Sequence, residues 1–124
     1  MTDGRVYKGV ALSALRIDEV TWSDAAADHV RSRSQRQPGV PGLEPEWCTE
    51  AVLDPNRLVR LAGADKPDSA SLKVVGWSPS AFGKGELLKV WVWSDDPHET
   101  CWRGASGVIA NDSDMRMYRR RGET

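Results

Sequence analysis

Cysteine and histidine are scarce in this sequence, with two of each among its 124 residues. Two cysteines, Cys48 and Cys101, are too few for a disulfide framework or a cysteine-rich zinc site. The two histidines, His29 and His98, are too far apart in the sequence for a metal-binding spacing on one helix. We therefore expect no bound metal, and two reduced cysteines that act as small apolar side chains.

Long apolar runs are missing as well. No stretch approaches the ~20 apolar residues that cross a bilayer, and the N-terminal region lacks the cleavage pattern of a secretory signal. A net charge of −1 argues against a strongly basic nucleic-acid binder. With 40% apolar and 28% charged residues, the composition is that of an ordinary globular protein. We expect a single domain over residues 1–124, located in the cytoplasm and without a membrane partner.

Familiar catalytic motifs are also absent. The sequence has no Gly-rich phosphate loop, no G-x-S-x-G elbow and no H-E-x-x-H motif. These absences weigh against nucleotide-binding enzymes, serine hydrolases and zinc proteases, and we expect no cofactor. Charge is unevenly placed, however, because arginines cluster within 31–36 and 119–121 while acids gather within 44–50 and at 95–96. A local cationic surface is therefore compatible with the near-neutral total.

The first half of the chain predicts one strand and two helices. The pattern predicts a strand over 17–22, a helix over 24–33 capped by Ser23, a loop over 34–46, and a second helix that has Pro45 in its first turn and ends at 53–56. Residues 1–16 fit neither a helix nor a strand clearly.

The second half of the chain changes to a period of two. It predicts strands over 58–62, 71–78, 86–94 and 100–106, separated by turns over 64–70, 79–85 and 95–99, and then a helix over 114–121 capped by Ser113. Short linkers favour an antiparallel meander. The expected fold class is α+β, with two N-terminal helices packed on one face of a three- to four-stranded antiparallel sheet and a short C-terminal helix.

The two central strands predict two different sheet faces. Leu88, Val90 and Val92 share one face of 86–94, which is an apolar core face. If the strands pair, the other face collects basic and aromatic side chains, namely Lys73, Lys89, Trp77, Trp91 and Trp93. Such a face stacks RNA bases while lysines hold phosphates. Alternatively, the tryptophans pack under a loop, the terminal helix or a partner chain.

The first predicted helix carries His29 and Arg33 four residues apart, so that both side chains lie on one helix face. A histidine titrates near neutral pH and arginine grips phosphate with two hydrogen bonds, which suits RNA cleavage without a metal. The alternative is a histidine that merely faces solvent or completes a hydrogen bond.

Several short motifs in order resemble one family. These are "VTWSDAAADHVRSR", "PEWCTEAVLDP", "LKVVGWSP", "LLKVWVW" and "WRGASGVIANDSDMRMYRR". Over residues 17–121 the chain resembles the BrnT-like toxins of bacterial toxin–antitoxin operons, whose fold is similar to that of RelE and ParE. Residues 1–16 would then be an N-terminal extension to this core.

The resemblance implies a toxin-type, metal-independent endoribonuclease that stops growth by cleaving RNA. A cognate antitoxin with a ribbon-helix-helix DNA-binding part would neutralise it. His29 and Arg33 match the motif of the first helix, and Ser106, Ala110, Asp114, Arg116 and Tyr118 match the closing one. The resulting candidate catalytic residues are His29, Arg33, Arg103, Arg116 and Tyr118. The candidate RNA-binding residues are Arg31, Lys73, Lys89, Trp91, Arg119 and Arg120.

Two departures from the family pattern leave alternatives open. Ser34 stands where the family often has a second histidine, and the uncharged stretch Gly107–Ala110 stands where it often has a cation. One alternative is a catalytically weakened or inactive RelE-like protein that binds another protein. Another is a ParE-type toxin directed at a topoisomerase.

Overall fold

A mixed five-stranded sheet forms the centre of the structure, a computed structural model that describes residues 6–61 and 71–121. The strands are β1 (Val6–Tyr7), β2 (Val10–Ala11), β3 (Glu19–Thr21), β4 (Leu58–Leu61), β5 (Leu72–Ser78), β6 (Glu86–Trp93) and β7 (Cys101–Ile109). The helices are α1 (Asp24–Arg31), α2 (Arg33–Arg36), α3 (Pro45–Val52) and α4 (Asp112–Arg121). The large sheet has the order β3-β7-β6-β5-β4, and β1 and β2 form a separate hairpin.

The prediction of an antiparallel meander is confirmed for β4 to β7, where each strand pairs antiparallel with the next. The prediction of a purely antiparallel sheet with three or four strands is wrong. Strand β3 joins β7 in parallel, with Val20 opposite Trp102. Parallel neighbours need a long crossover connection, and the whole chain between β3 and β7 supplies it.

Helices α1 and α3 pack on one face of the sheet, which carries the main core. Leu72, Val74, Leu88, Val90 and Val92 are fully buried there. Helix α3 approaches β5 so closely that a Cβ at Gly76 would collide with the backbone carbonyl of Ala51. The absence of a side chain at this position therefore allows α3 to lie directly on the strand.

Helix α4 packs on the opposite face, which we call the outer face. Val75 and Leu87 of the outer face are buried together with Ala110, and Met115 and Tyr118 of α4 pack against them. The two N-terminal helices therefore share one face as expected, and the C-terminal helix lies on the other. Apolar side chains at one end of the outer face explain the difference, because they need a helix to cover them.

The N-terminal boundaries are only partly as predicted. Ser23 caps α1, and its hydroxyl accepts a hydrogen bond from the backbone N–H of Ala26 at 3.1 Å. Pro45 opens α3 as predicted. The helix expected over 24–33 ends at Arg31, however, and the expected loop begins with the short helix α2. Ser32 separates α1 from α2, because its backbone leaves the helical conformation there.

The C-terminal boundaries also differ from the prediction. Strand β7 continues to Ile109, three residues beyond the predicted end. The predicted cap at Ser113 is wrong, because Asn111 fills this role. Its side chain accepts from the N–H of Asp114 at 2.8 Å, and Asp114 accepts from the N–H of Asn111 at 3.1 Å. This reciprocal pair satisfies two backbone donors at the helix start. The predicted turn over 64–70 lies outside the described residues.

Candidate functional site

A row of four side-chain positions crosses the sheet from edge to edge. Arg60 pairs with Lys73, Lys73 with Trp91, and Trp91 with Ser106. We call these four residues the basic row. Lys73 and Trp91 alternate with the core residues of β5 and β6, so they lie on the outer face as predicted. Adjacent strands lie about 4.8 Å apart, so the row spans about 14 Å.

The end of the basic row at Ser106 carries a β-bulge. Trp91 pairs with Ser106 and Val92 with Gly104, so Ala105 is the extra residue of β7. A bulge redirects the side chains beside it. Strand β3 pairs with β7 only as far as Arg103, so the β7 edge at Ser106 has no strand beside it among the described residues. Side chains from the helices can therefore reach Ser106.

Arg33 of α2 is the side chain that contacts Ser106 at this edge of β7. Its Nη2 donates to the hydroxyl of Ser106 at 2.5 Å, and its Nη1 donates to Oε1 of Gln37 at 3.0 Å. The Nε atom is buried without a hydrogen-bond partner. Within residues 6–61 and 71–121, no carboxylate lies in salt-bridge distance of Arg33. Burial lowers the pKa of this guanidinium, and the charge of Arg36 lowers it further.

His29 lies in α1 and Arg33 in α2, so the prediction that one helix carries both is wrong, because the helix is interrupted at Ser32. The side chain of His29 is exposed. Partial burial lowers the pKa of this imidazole, and the charges of Arg36 and Arg33 lower it further. Arg36 is held beside it, since its Nη2 donates to the carbonyl oxygen of His29 at 2.6 Å. These effects favour the neutral form of the His29 ring, in which one ring nitrogen can accept a proton.

Arg31 of the same helix is engaged by an acid. Its Nε donates to Oε2 of Glu44 at 3.0 Å, and both side chains are about half exposed. The hydrogen bond to Glu44 is the main reason why the pKa of Arg31 is raised. An RNA phosphate at Arg31 would therefore compete with a carboxylate, unlike a phosphate at Arg33.

Lys89, predicted to bind RNA, forms an ion pair with Asp114 at 3.0 Å. The side chains of Lys89 and Asp114 are only 15% and 5% exposed, so the pair ties β6 to α4 rather than facing solvent. The ammonium also lies 5.8 Å from the ring centroid of Trp91. The ammonium of Lys89 therefore packs against the ring of Trp91, and its positive charge is paired with the carboxylate of Asp114.

Trp93 and Arg103 extend the outer face beyond the basic row. The guanidinium of Arg103 lies 4.9 Å from the ring centroid of Trp93, within the range of a cation–π contact. Its salt bridge to Asp95 is long, at 3.8 Å, and both side chains are mostly exposed. Such an exposed pair contributes little, so Arg103 can exchange Asp95 for another anion.

Tyr118 lies away from the basic row. Its hydroxyl donates to Oδ2 of Asp54, which also accepts from the backbone N–H of Trp77 at 2.9 Å. Trp77 is four residues from Lys73 on β5, or about 13 Å along the strand. Tyr118 therefore anchors α4 at the far end of the outer face. Arg116, Arg119 and Arg120 are exposed on α4.

The structure therefore brings together only part of the predicted site. Lys73 and Trp91 lie in the basic row and Arg33 contacts its end at Ser106. His29 lies four residues before Arg33, and Tyr118 lies away from the row. Sequence reasoning missed Arg60 and the role of Ser106. The alternation of "LVRL" around Arg60 was a signal for a cation on a strand face, but nothing in the sequence shows which strand lies beside it.

No protein-family model, no curated protein and no solved structure matches this chain. None of the helices in the described part of the chain is long and apolar enough to cross a membrane. In residues 6–61 and 71–121, no three His, Cys, Asp or Glu side chains are grouped so that they could hold a metal ion. Both cysteines are free; burial raises the pKa of Cys48 to about 12.

Proposed function

We propose that this protein is a toxin-type, metal-independent endoribonuclease of a bacterial toxin–antitoxin pair, with its RNA bound on the outer face of the sheet. The observation that carries the proposal is the contact of Arg33 with Ser106 at the end of the basic row. Through Ser106, which pairs with Trp91, it joins the basic row to a guanidinium that has no carboxylate in salt-bridge distance among the described residues. A bound phosphate would be a negatively charged partner for Arg33, and the planar guanidinium of arginine donates two parallel hydrogen bonds to a phosphate.

The chemistry assigned to the site is attack within the RNA strand. Neutral His29 takes the proton of the ribose 2′-OH, and the 2′-oxygen forms a bond to the adjacent phosphorus. The bond from phosphorus to the 5′-oxygen breaks, and this oxygen takes a proton from solvent. The products are a 2′,3′-cyclic phosphate and a 5′-hydroxyl end. Arg33 stabilises the extra negative charge of the transition state.

Trp91 and Trp93 support a single-stranded substrate. Both are half-buried on the outer face, with cations beside them. Stacking of a base on an aromatic side chain contributes roughly 1–3 kcal/mol and requires a base that is not stacked in a duplex. The proposed substrate is therefore unpaired RNA, with Arg103, Arg116, Arg119 and Arg120 as further phosphate contacts.

The proposed partner is an antitoxin with a ribbon-helix-helix DNA-binding part, and the proposed location is the cytoplasm, where RNA is available. An antitoxin that covers the outer face would block RNA by occupying the same cations. Co-expression with the product of the neighbouring gene tests this part of the proposal. We expect a stable complex and loss of cleavage; free cleavage by the complex would contradict it.

A second candidate function is RNA or protein binding without cleavage. The observation that favours it is that the hydroxyl of Tyr118 is bound to Asp54, away from the basic row. His29 is then the group near the row, of those predicted from the sequence, that can transfer a proton. Ser34 replaces the second histidine of the resembled family. In this case the same surface binds its ligand, but the 2′-oxygen is not activated.

The deciding experiment uses purified protein and an end-labelled single-stranded RNA, with and without EDTA. We expect cleavage that EDTA does not abolish, with 2′,3′-cyclic phosphate ends. His29→Ala and Arg33→Ala should each lower the rate by about 100-fold or more, whereas the matched control His98→Ala should not. Binding without cleavage by the wild-type protein would establish the second candidate instead.

A further inference from the structure

Arg60 and Lys73 are two cations placed directly opposite each other on neighbouring strands. Cross-strand partners of this kind have Cβ atoms about 5 Å apart, and like charges there destabilise a sheet. Neither side chain forms an ion pair with a described residue. A guanidinium nitrogen of Arg60 donates to the thioether sulfur of Met117 in α4, which carries no charge.

Trp91 lies on the other side of Lys73 in the same row. Along the basic row, the cations of Arg60 and Lys73 are followed by the ring of Trp91 and then by Ser106, which binds the guanidinium of Arg33. Two positively charged places are separated by one stacking surface. A nucleic-acid strand has the matching order, since a base lies between two successive phosphates.

We propose that Arg60 and Lys73 form a second phosphate-binding subsite, so that RNA crosses the strands from Arg33 toward β4 with one base stacked on Trp91. This inference rests on the proposed function, which places the cleaved phosphate at Arg33. The second phosphate relieves the repulsion between Arg60 and Lys73. Met117 of α4 fixes the direction of Arg60, so α4 forms one wall of the path.

The proposal has a direct consequence for substrate length. A dinucleotide has a single phosphodiester and occupies only the subsite at Arg33. A longer single strand reaches both subsites and gains the contacts of Arg60 and Lys73. Cleavage efficiency, measured as kcat/KM, should therefore rise from the dinucleotide to an oligonucleotide of about ten residues, and Arg60→Gln should remove most of this gain.

Binding at different salt concentrations tests the subsite separately from catalysis. The probe is a fluorescent ten-nucleotide oligouridylate with 2′-O-methyl groups, which lack the hydroxyl that attacks the phosphorus. Each phosphate contact to a single strand contributes about 0.7 to the slope of log K against log salt. Arg60 and Lys73 share one phosphate, so the double variant Arg60→Gln with Lys73→Gln should reduce this slope by about 0.7 and each single variant by part of that amount. Arg60→Lys should keep the wild-type slope. Lys84→Gln, at the exposed turn after β5, is the matched control and should leave the slope unchanged.

The outcomes separate the two proposals. If the wild-type protein cleaves RNA and Arg60→Gln keeps both the slope and the gain with length, the second subsite is wrong and the proposed function stands. If the wild-type protein neither binds nor cleaves single-stranded RNA, the proposed function fails and this inference fails with it. Tighter binding of a polyglutamate peptide than of the oligonucleotide would instead assign the pair to an acidic protein partner.

Discussion

Arg33 donates a hydrogen bond to the hydroxyl of Ser106, a residue 73 positions later in the chain, and in doing so joins the helical side of the molecule to the outer face of the sheet. The bond is possible because the bulge at Ala105 and the early end of β3 expose the β7 edge. Arg33 is half-buried, and no carboxylate of residues 6–61 and 71–121 lies in salt-bridge distance of it, an arrangement that does not favour folding.

The first prediction concerns Arg33→Met. The change removes two hydrogen bonds, but it also removes a buried nitrogen without a partner. These effects oppose each other, so we expect the free energy of unfolding to stay within about 1 kcal/mol of the wild-type value. RNA cleavage should fall by about 100-fold or more. Urea unfolding and a cleavage assay measure the two quantities. Arg16→Met, at an exposed position, is the control; a large loss of stability with unchanged cleavage would contradict the assignment.

The second prediction concerns the pH dependence of cleavage. Burial and the charges of Arg36 and Arg33 lower the pKa of His29 from that of an ordinary histidine. As a general base, His29 acts when deprotonated, so the rate should rise with pH around a midpoint below that of an ordinary histidine. Arg36→Gln should move the midpoint upward, because it removes one positive charge, and Arg16→Gln should not. An NMR titration of the ring gives the same midpoint independently. A midpoint that does not respond to Arg36→Gln would exclude His29 as the titrating group.

The third prediction separates a structural role of Tyr118 from a catalytic one. Tyr118→Phe removes the hydroxyl that donates to buried Asp54, so the free energy of unfolding should fall by about 1–3 kcal/mol. Cleavage per folded molecule, measured well below the unfolding midpoint, should change little. A large drop in kcat with unchanged stability would show instead that Tyr118 contacts the reacting groups.

The fourth prediction concerns Glu50 on α3. Burial raises the pKa of this carboxyl, but hydrogen bonds from Ser80 and Ser78 outweigh that effect and hold the pKa below its usual value. Glu50 therefore contributes stability at neutral pH that is lost as pH falls through the folded-state pKa. Glu50→Gln should be less stable at pH 7 and should lose less stability between about pH 5 and pH 3. Thermal unfolding across this range measures it, and equal pH dependence in both proteins would contradict it.

Local patterns in the sequence were sufficient for most strands and for two helix starts. Ser23 and Pro45 act where they were expected, because a side-chain cap and a missing N–H are properties of the adjacent few residues. The Asn111 cap was missed because Ser113 offers the same chemistry two residues later. The parallel pairing of Val20 with Trp102 was not predictable, since it depends on how three helices fold back across the sheet.

The parts of the candidate site that could be predicted are those that depend on the alternation of side chains along a single strand. Alternation along β5 and β6 placed Lys73 and Trp91 on one face, and their pairing is confirmed. The neighbours across the sheet depend on register, which is set by the whole core. The sequence therefore could not show that Arg60 stands beside Lys73, nor that Asp114 neutralises Lys89.

The late position of β7 in the chain has a consequence for synthesis. His29 and Arg33 are synthesised before Ser106, which follows Arg33 by 73 residues, and before the strand that pairs with β3. A nascent chain that ends before β7 therefore lacks the sheet edge that holds Arg33, although Arg60, Lys73 and Trp91 are already made. Under the proposed function, a product truncated there should leave RNA uncut.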